Sequence, residues 1–233
     1  MNSFFERYRQ GDRRQIWREL VSLGDQVRAE PILSDAYAVA TETMARVRKN
    51  LEVLVERLGS MGYKFRDPYL ALEDPPRDVA DKIAVIEDRI GALPLSLRAF
   101  YETVGGVDLR GKHPEWRGCE YPDPLVVFTI EAPFYELQEW EQSREEYKRV
   151  FGSFRVPIAP HYVTKEDAAG GTWYGIALPN AAADAMLLEE WHGVLFVDYL
   201  RICFQWAGFP RLARVRSATT WPVDELKAGL LDI

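Results

Sequence analysis

Seven apolar residues, Ala40, Met44, Val47, Leu51, Leu54, Leu58 and Met61, recur at alternating steps of four and three. No strand can keep such a spacing on one side, so the pattern predicts one long helix with a single buried seam. Upstream, Ile16, Leu20, Leu23 and Val27 repeat the same steps, and Pro31 stops them. Asp12 and Gln15 stand at capping-box spacing before that run, and Ser34 is placed to open the second helix. Gly59 and Gly62 mark its end. The two seams therefore predict an antiparallel helical hairpin over residues 1–66, packed on the rest of the chain or on a second copy.

A shorter statement comes at Leu93-Pro94-Leu95-Ser96-Leu97-Arg98-Ala99-Phe100-Tyr101-Glu102-Thr103-Val104-Gly105-Gly106. Pro94 suits a first helical position, where a missing N–H costs nothing. Leu97, Phe100, Tyr101 and Val104 form an apolar stripe, and the glycine pair supplies the left-handed residue that ends a helix. Before it, Asp74 is placed to cap a helix whose buried side is Val79, Ile83, Ile86 and Ile90.

Beyond Gly106 the texture changes. Residues Leu125–Ile130 read as a central strand, and Val156–Pro160, with two prolines at 157 and 160, as an edge or strand end. Trp173–Leu178 and Ala185–Glu189 read as two further strands, and an acidic helix is expected from Glu131 to Phe151. Phe196, Val197, Leu200, Cys203 and Phe204 form the face of a late helix, and a last short one is expected from Trp221 to Leu231. This order predicts an α+β class: a mainly antiparallel sheet with helices on one face, over residues 67–233.

The order and spacing of these pieces over residues 75–208 resemble the SUKH superfamily, which includes Smi/Knr-type regulators and bacterial immunity proteins. The resemblance rests on the Leu93-Pro94 helix ending in Gly105-Gly106, the strand near Val126, Val156–Ala159, Trp173–Leu178 and the helix opening Phe196-Val197-Asp198-Tyr199-Leu200. The hairpin and the stretch Lys112–Pro124 depart from the family pattern. What the resemblance implies is a SUKH-like fold and a protein-binding module, with no cofactor and no catalytic residue. Its partner would be a protein, most plainly a toxin neutralised by this chain.

Charge narrows the partner. Residues 1–66 carry net +3 and residues 67–233 net −10, a field that repels phosphates and suits a basic protein rather than nucleic acid. No stretch reaches the roughly 20 apolar residues of a membrane span. The opening Met1–Arg7 reaches charge before an apolar run can form, so no signal peptide is read and a cytoplasmic chain is expected. Cys119 and Cys203 have no metal spacing and are expected as free thiols.

Chemistry finds little purchase. His113-Pro114-Glu115 lacks the Cys-x-x-Cys that a zinc deaminase requires, and His113, His161 and His192 share no ligand spacing. Ser96, Ser143, Ser153 and Ser217 lack a nucleophile elbow. Ala169-Gly170-Gly171-Thr172 precedes a strand, not the helix of a phosphate loop. No catalytic, cofactor or metal residue is therefore assigned. A hydrolase using scattered Asp, Glu and His, or a scaffold dimerising through the heptads, remains open on residues alone. The expected partner surface comprises Trp116, Tyr121, one of Trp173 and Tyr174, which strand alternation sets on opposite faces, and Asp184, Glu189 and Trp191. They are set on the sheet's free face and its loops, where aromatics supply contact area and carboxylates steer.

Overall fold

The computed structural model describes residues 3–215 and 220–233. It begins with α1 (Phe4–Gln10) and α2 (Arg13–Ser22), a 3-10 turn at Gly24–Arg28, and α3 (Ile32–Ser60). The heptad residues from Ala40 to Leu58 are fully buried within the one chain, and Met61 is half-buried at the helix end. The seam thus faces this chain's own core. Asn50 fixes the C-terminal segment to α3 by a reciprocal pair with Leu231: its Nδ2 donates to the main-chain oxygen (2.9 Å) and its Oδ1 accepts from the amide (2.7 Å). Arg57 donates to the oxygens of Leu226 and Ala228 at 2.8 and 2.6 Å.

The hairpin departs from expectation at its caps. Helix α2 ends at Ser22, well before Pro31, and Asp12 makes no side-chain cap; α3 likewise starts at Ile32 without a Ser34 cap. A capping box lies instead at the start of α1, where Ser3 Oγ accepts from the Glu6 amide (3.1 Å) and Glu6 reaches back to the Ser3 amide. Asp35 of α3 takes the next two free amides, those of Phe4 and Phe5. Ser3→Ala is therefore expected to cost about 1 kcal/mol of unfolding free energy in urea, and Asp12→Ala less than about 0.5 kcal/mol. The reverse ranking would return the cap to Asp12.

Strand β1 (Lys64–Phe65) pairs with β4 (Gly111–Lys112), so pairing crosses the expected boundary at residue 66. Strand β2 (Leu72–Glu73) pairs with β3 (Gly106–Asp108), and β3 with β5 (Val126–Val127), all antiparallel. Between them stand α4 (Val79–Arg89), with Asp78 rather than Asp74 at its N-cap position and no side-chain cap, and α5 (Leu95–Thr103). Pro94 occupies the N-cap position of α5, one residue before its expected place, and the Leu95 and Ser96 amides donate to the oxygens of Ala182 and Ala183. Leu97, Phe100, Tyr101 and Val104 are fully buried. Gly105 has φ +91°, and a Cβ there would lie 2.4 Å from the Glu73 oxygen, so only glycine lets β2 run this close.

The acidic helix is two helices, α6 (Glu131–Gln142) and α7 (Arg144–Phe151), broken at Ser143. After it, β6 (Phe154–Ala159) and β7 (Tyr174–Leu178) form an antiparallel pair with a shift between Pro157 and Ala159. Helix α8 (Phe196–Gln205), a 3-10 turn at Pro210–Arg214 and α9 (Val223–Lys227) complete the chain.

The class is α+β with antiparallel pairing, the strands of the described residues distributed over three small sheets. Two strands shrink. Leu125–Ile130 contributes only Val126–Val127, at an edge, because the chain turns into α6 at Thr129 and Phe128 spends its amide on Ile158. Ala185–Glu189 makes only single bridges, Gly175 to Leu188 and Met186 to Leu195. Buried residues from Tyr8 to Ile233 belong to one hydrophobic cluster that joins the N-terminal helices to the rest. No described helix is long and apolar enough to cross a membrane.

Candidate functional site

Alternation gives the β6–β7 pair two unlike faces. Phe154, Val156, Tyr174, Ile176 and Leu178 are buried on one. On the other stand Arg155 opposite Ala177 and Pro157 opposite Gly175, with half-buried Trp173 just before the strand.

Tyr174 corrects the expected surface. It is fully buried, and its hydroxyl donates to Asp123 Oδ2 at 3.2 Å. The other Asp123 oxygen accepts from Lys165 Nζ at 2.6 Å, and that ammonium lies 4.9 Å from the Tyr174 ring centre. Both charged side chains have no exposed area. The loop that joins β6 to β7 and the segment before β5 thus meet and close a buried ion pair around the Tyr174 ring. Parity places Trp173 and Tyr174 on opposite sides, and this pair makes Tyr174 the inner one.

Asp184 is the second correction. It is buried, accepting from Ser96 Oγ (2.7 Å), the Ala185 amide (2.9 Å) and the Val197 amide (3.0 Å). It ties α5 to the first turn of α8. Burial pushes its carboxyl up to about 7, against the pull of those three donors.

Trp116 stands apart from the rim. It stacks on His113 at 4.5 Å and packs on Tyr63 (5.6 Å) and Trp221 (4.9 Å) near the end of α3, where His113 Nε2 meets the Met61 oxygen.

The remaining four expected residues, Tyr121, Trp173, Glu189 and Trp191, lie along a rim of aromatic and arginine side chains. The Trp173 ring lies over Gly175, where a Cβ would meet it at 2.5 Å, and against Phe151 at 5.5 Å. Arg155 covers Phe151 (5.0 Å) and reaches exposed Glu189 (3.2 Å). Trp191 tilts against His192 at 3.4 Å and carries Arg214 on its ring at 3.7 Å. Tyr121 meets Tyr162 edge-on at 6.2 Å, and Arg211 covers Tyr162 at 3.7 Å. His161 lies 4.3 Å from Tyr162 and packs on Gly171, two residues before Trp173. Burial lowers its pKa, with Arg211 and Lys165 acting in the same direction, against Asp123 and Glu189. The Nδ1 of His161, the Nε1 of Trp191 and the Nε of Arg155 are buried and have no hydrogen-bond partner among the described residues.

Sequence reasoning missed Arg155, Tyr162, Arg211 and Arg214. Their segments are remote in sequence, and no local pattern announces that they meet.

Several side chains of types suited to catalysis are buried or engaged elsewhere. Burial drives the Cys203 thiol far up and Cys119 up as well, away from the thiolate a nucleophile needs. Ser96 gives its hydroxyl to Asp184, and Glu190 is buried against the His192 ring at 2.5 Å. Ser217 lies outside the described residues. Among the described residues no three His, Cys, Asp or Glu side chains are grouped to hold a metal ion. What the rim offers is contact: flat rings at small entropic cost, and guanidinium groups pre-oriented on them. No family model, curated protein or solved structure matches the chain.

Proposed function

We propose that this chain is a non-enzymatic protein-recognition module, an immunity protein that neutralises a basic toxin by covering it with the Tyr121–Trp173–Glu189–Trp191 rim. The observation that carries the reading is the composition of that rim. Tyr, Trp and Arg are the residue types that dominate binding hot spots, and here each arginine is held on an aromatic face. The rim also adjoins, through Phe151, the acidic helices α6 and α7, where Glu139, Glu141, Glu145 and Glu146 are exposed. Tyr135 and Val150 on those helices are 69% and 66% exposed. Glutamates beside the contact residues favour a basic partner through association rate and register. The SUKH resemblance read in the sequence supports the same class. The chain acts in the cytoplasm, where Cys119 and Cys203 stay unpaired.

The test is to express the genes that neighbour this one, singly and together with it, in a bacterial host. One neighbour is expected to arrest growth alone and to be tolerated in its presence, the two proteins co-purifying. If no neighbour is both toxic and bound by this chain, the reading falls.

A further inference from the structure

Helices α2 and α8 enclose a cleft of about 460 Å³ that the rim does not use. Its lining is arginine-rich on a chain of net charge −7: Arg14 and Arg18 come from α2 and Arg201 from α8. Arg14 and Arg18 stand at i,i+4, where like charges repel. Elsewhere helical arginines hold carboxylates, as Arg46 does Glu42 and Arg98 does Glu87. Arg14 and Arg18 are exposed, and neither has an ion-pair or hydrogen-bond partner among the described residues. Arg201 is different: its side chain is only 8% exposed. It donates Nε to the Ile233 oxygen (2.8 Å) and Nη1 to Asp198 (2.8 Å), and its buried Nη2 has no hydrogen-bond partner among the described residues. A buried guanidinium N–H left over in this way calls for an acceptor.

The cleft's acids do not supply one. Asp198 is engaged with Arg201 Nη1, and Asp184 is turned to Ser96 and two amides. Between the arginines the walls are apolar, with Val21, Val194, Leu195 and Ile202 beside Trp17, whose indole N–H is already spent on Thr43 at 3.1 Å. Guanidinium groups above an apolar floor match a ligand with one anionic head and an apolar body.

We infer that the α2–α8 cleft is a binding site for an organic carboxylate with an apolar body, its head accepting from Arg201 Nη2 and held by Arg14 and Arg18. The site is independent of the recognition rim and of the toxin reading. Calorimetric titration of the full chain with octanoate, octanamide and inorganic phosphate tests it, alongside a peptide ending in a free leucine carboxylate and the same peptide amidated. Octanoate or the free-acid peptide is expected to bind saturably at one site, the first pointing to a free carboxylate and the second to a chain terminus. The matching amide is expected to bind at least about tenfold more weakly, the worth of one charge-assisted contact. The doubly substituted R14A/R18A chain should lose a similar factor while melting at the wild-type temperature. No saturable binding by either acid would overturn the inference. So would an amide equal to its acid, phosphate binding as tightly as octanoate, or R14A/R18A binding like wild type.

Discussion

Replacing Lys165 by methionine is expected to lower the unfolding free energy by about 3–5 kcal/mol. The reason lies in what the substitution leaves behind. Asp123 and Lys165 have no exposed side-chain area, and each is the other's charge partner at 2.6 Å. With the ammonium gone, the Asp123 carboxylate keeps, among the described residues, the Tyr174 hydroxyl at 3.2 Å in a site with no exposed side-chain area. Asp123 sits at φ +56°, a conformation asparagine tolerates, so Asp123→Asn removes the charge with little backbone cost. The double variant D123N/K165M should accordingly be more stable than K165M alone. Urea unfolding of the two variants and wild type measures both statements. A K165M change within about 0.5 kcal/mol, the size of an ordinary surface substitution, would contradict the buried pair.

Asp184 gives the second large effect, through pH. Its carboxyl is pushed up to about 7 in the folded chain, against about 3.9 in an unfolded one. Between those values the folded state holds a proton that the unfolded state has released. Stability from this group is therefore fully present below about pH 4, declines as pH rises to about 7 and is flat beyond. The whole change is on the order of 4 kcal/mol at about 1.4 kcal/mol per unit. Asp184→Asn removes the titration, so the stability of wild type relative to D184N should fall as pH rises through that window. Taking the difference cancels the other carboxyls that burial raises, Glu73, Glu102, Glu136 and Glu166. A difference that stays constant from pH 4 to 7 would show that Asp184 titrates as an ordinary aspartate.

These two groups also mark where sequence reading stops. The heptad of α3, the Leu97–Val104 stripe and the Phe196–Phe204 face are periodic, and their burial follows from spacing alone. Helix α1 has only two turns and one buried residue, Tyr8, too little for periodicity to register. Leu125–Ile130 has strand composition, but how much of it pairs depends on where the chain turns, and that is set by Thr129 and Ile158. At the site, parity alone sets Trp173 and Tyr174 on opposite faces. Choosing the buried one required Lys165 and Asp123, 42 positions apart. Lys165 stands among Thr164, Glu166 and Asp167 and reads as part of a solvated loop. Asp184 owes its burial to Ser96, 88 positions away. Trp116 and Tyr121 share the stretch Lys112–Pro124, yet Trp116 packs on Tyr63 and Trp221 while Tyr121 meets Tyr162. Local composition identified aromatic residues; tertiary contacts decided which of them share a surface.

The proposal that the rim meets the partner is tested most directly by measuring, with the neutralised toxin in hand, the affinity of variants W191A and Y121A alongside Tyr135→Ala on α6. Both rim variants, melting as wild type does, are predicted to bind about tenfold or more weakly, as truncated hot-spot aromatics do, with growth rescue lost in parallel. Rim variants that bind as wild type does, with Tyr135→Ala abolishing binding, would contradict the account and move the contact to the acidic helices.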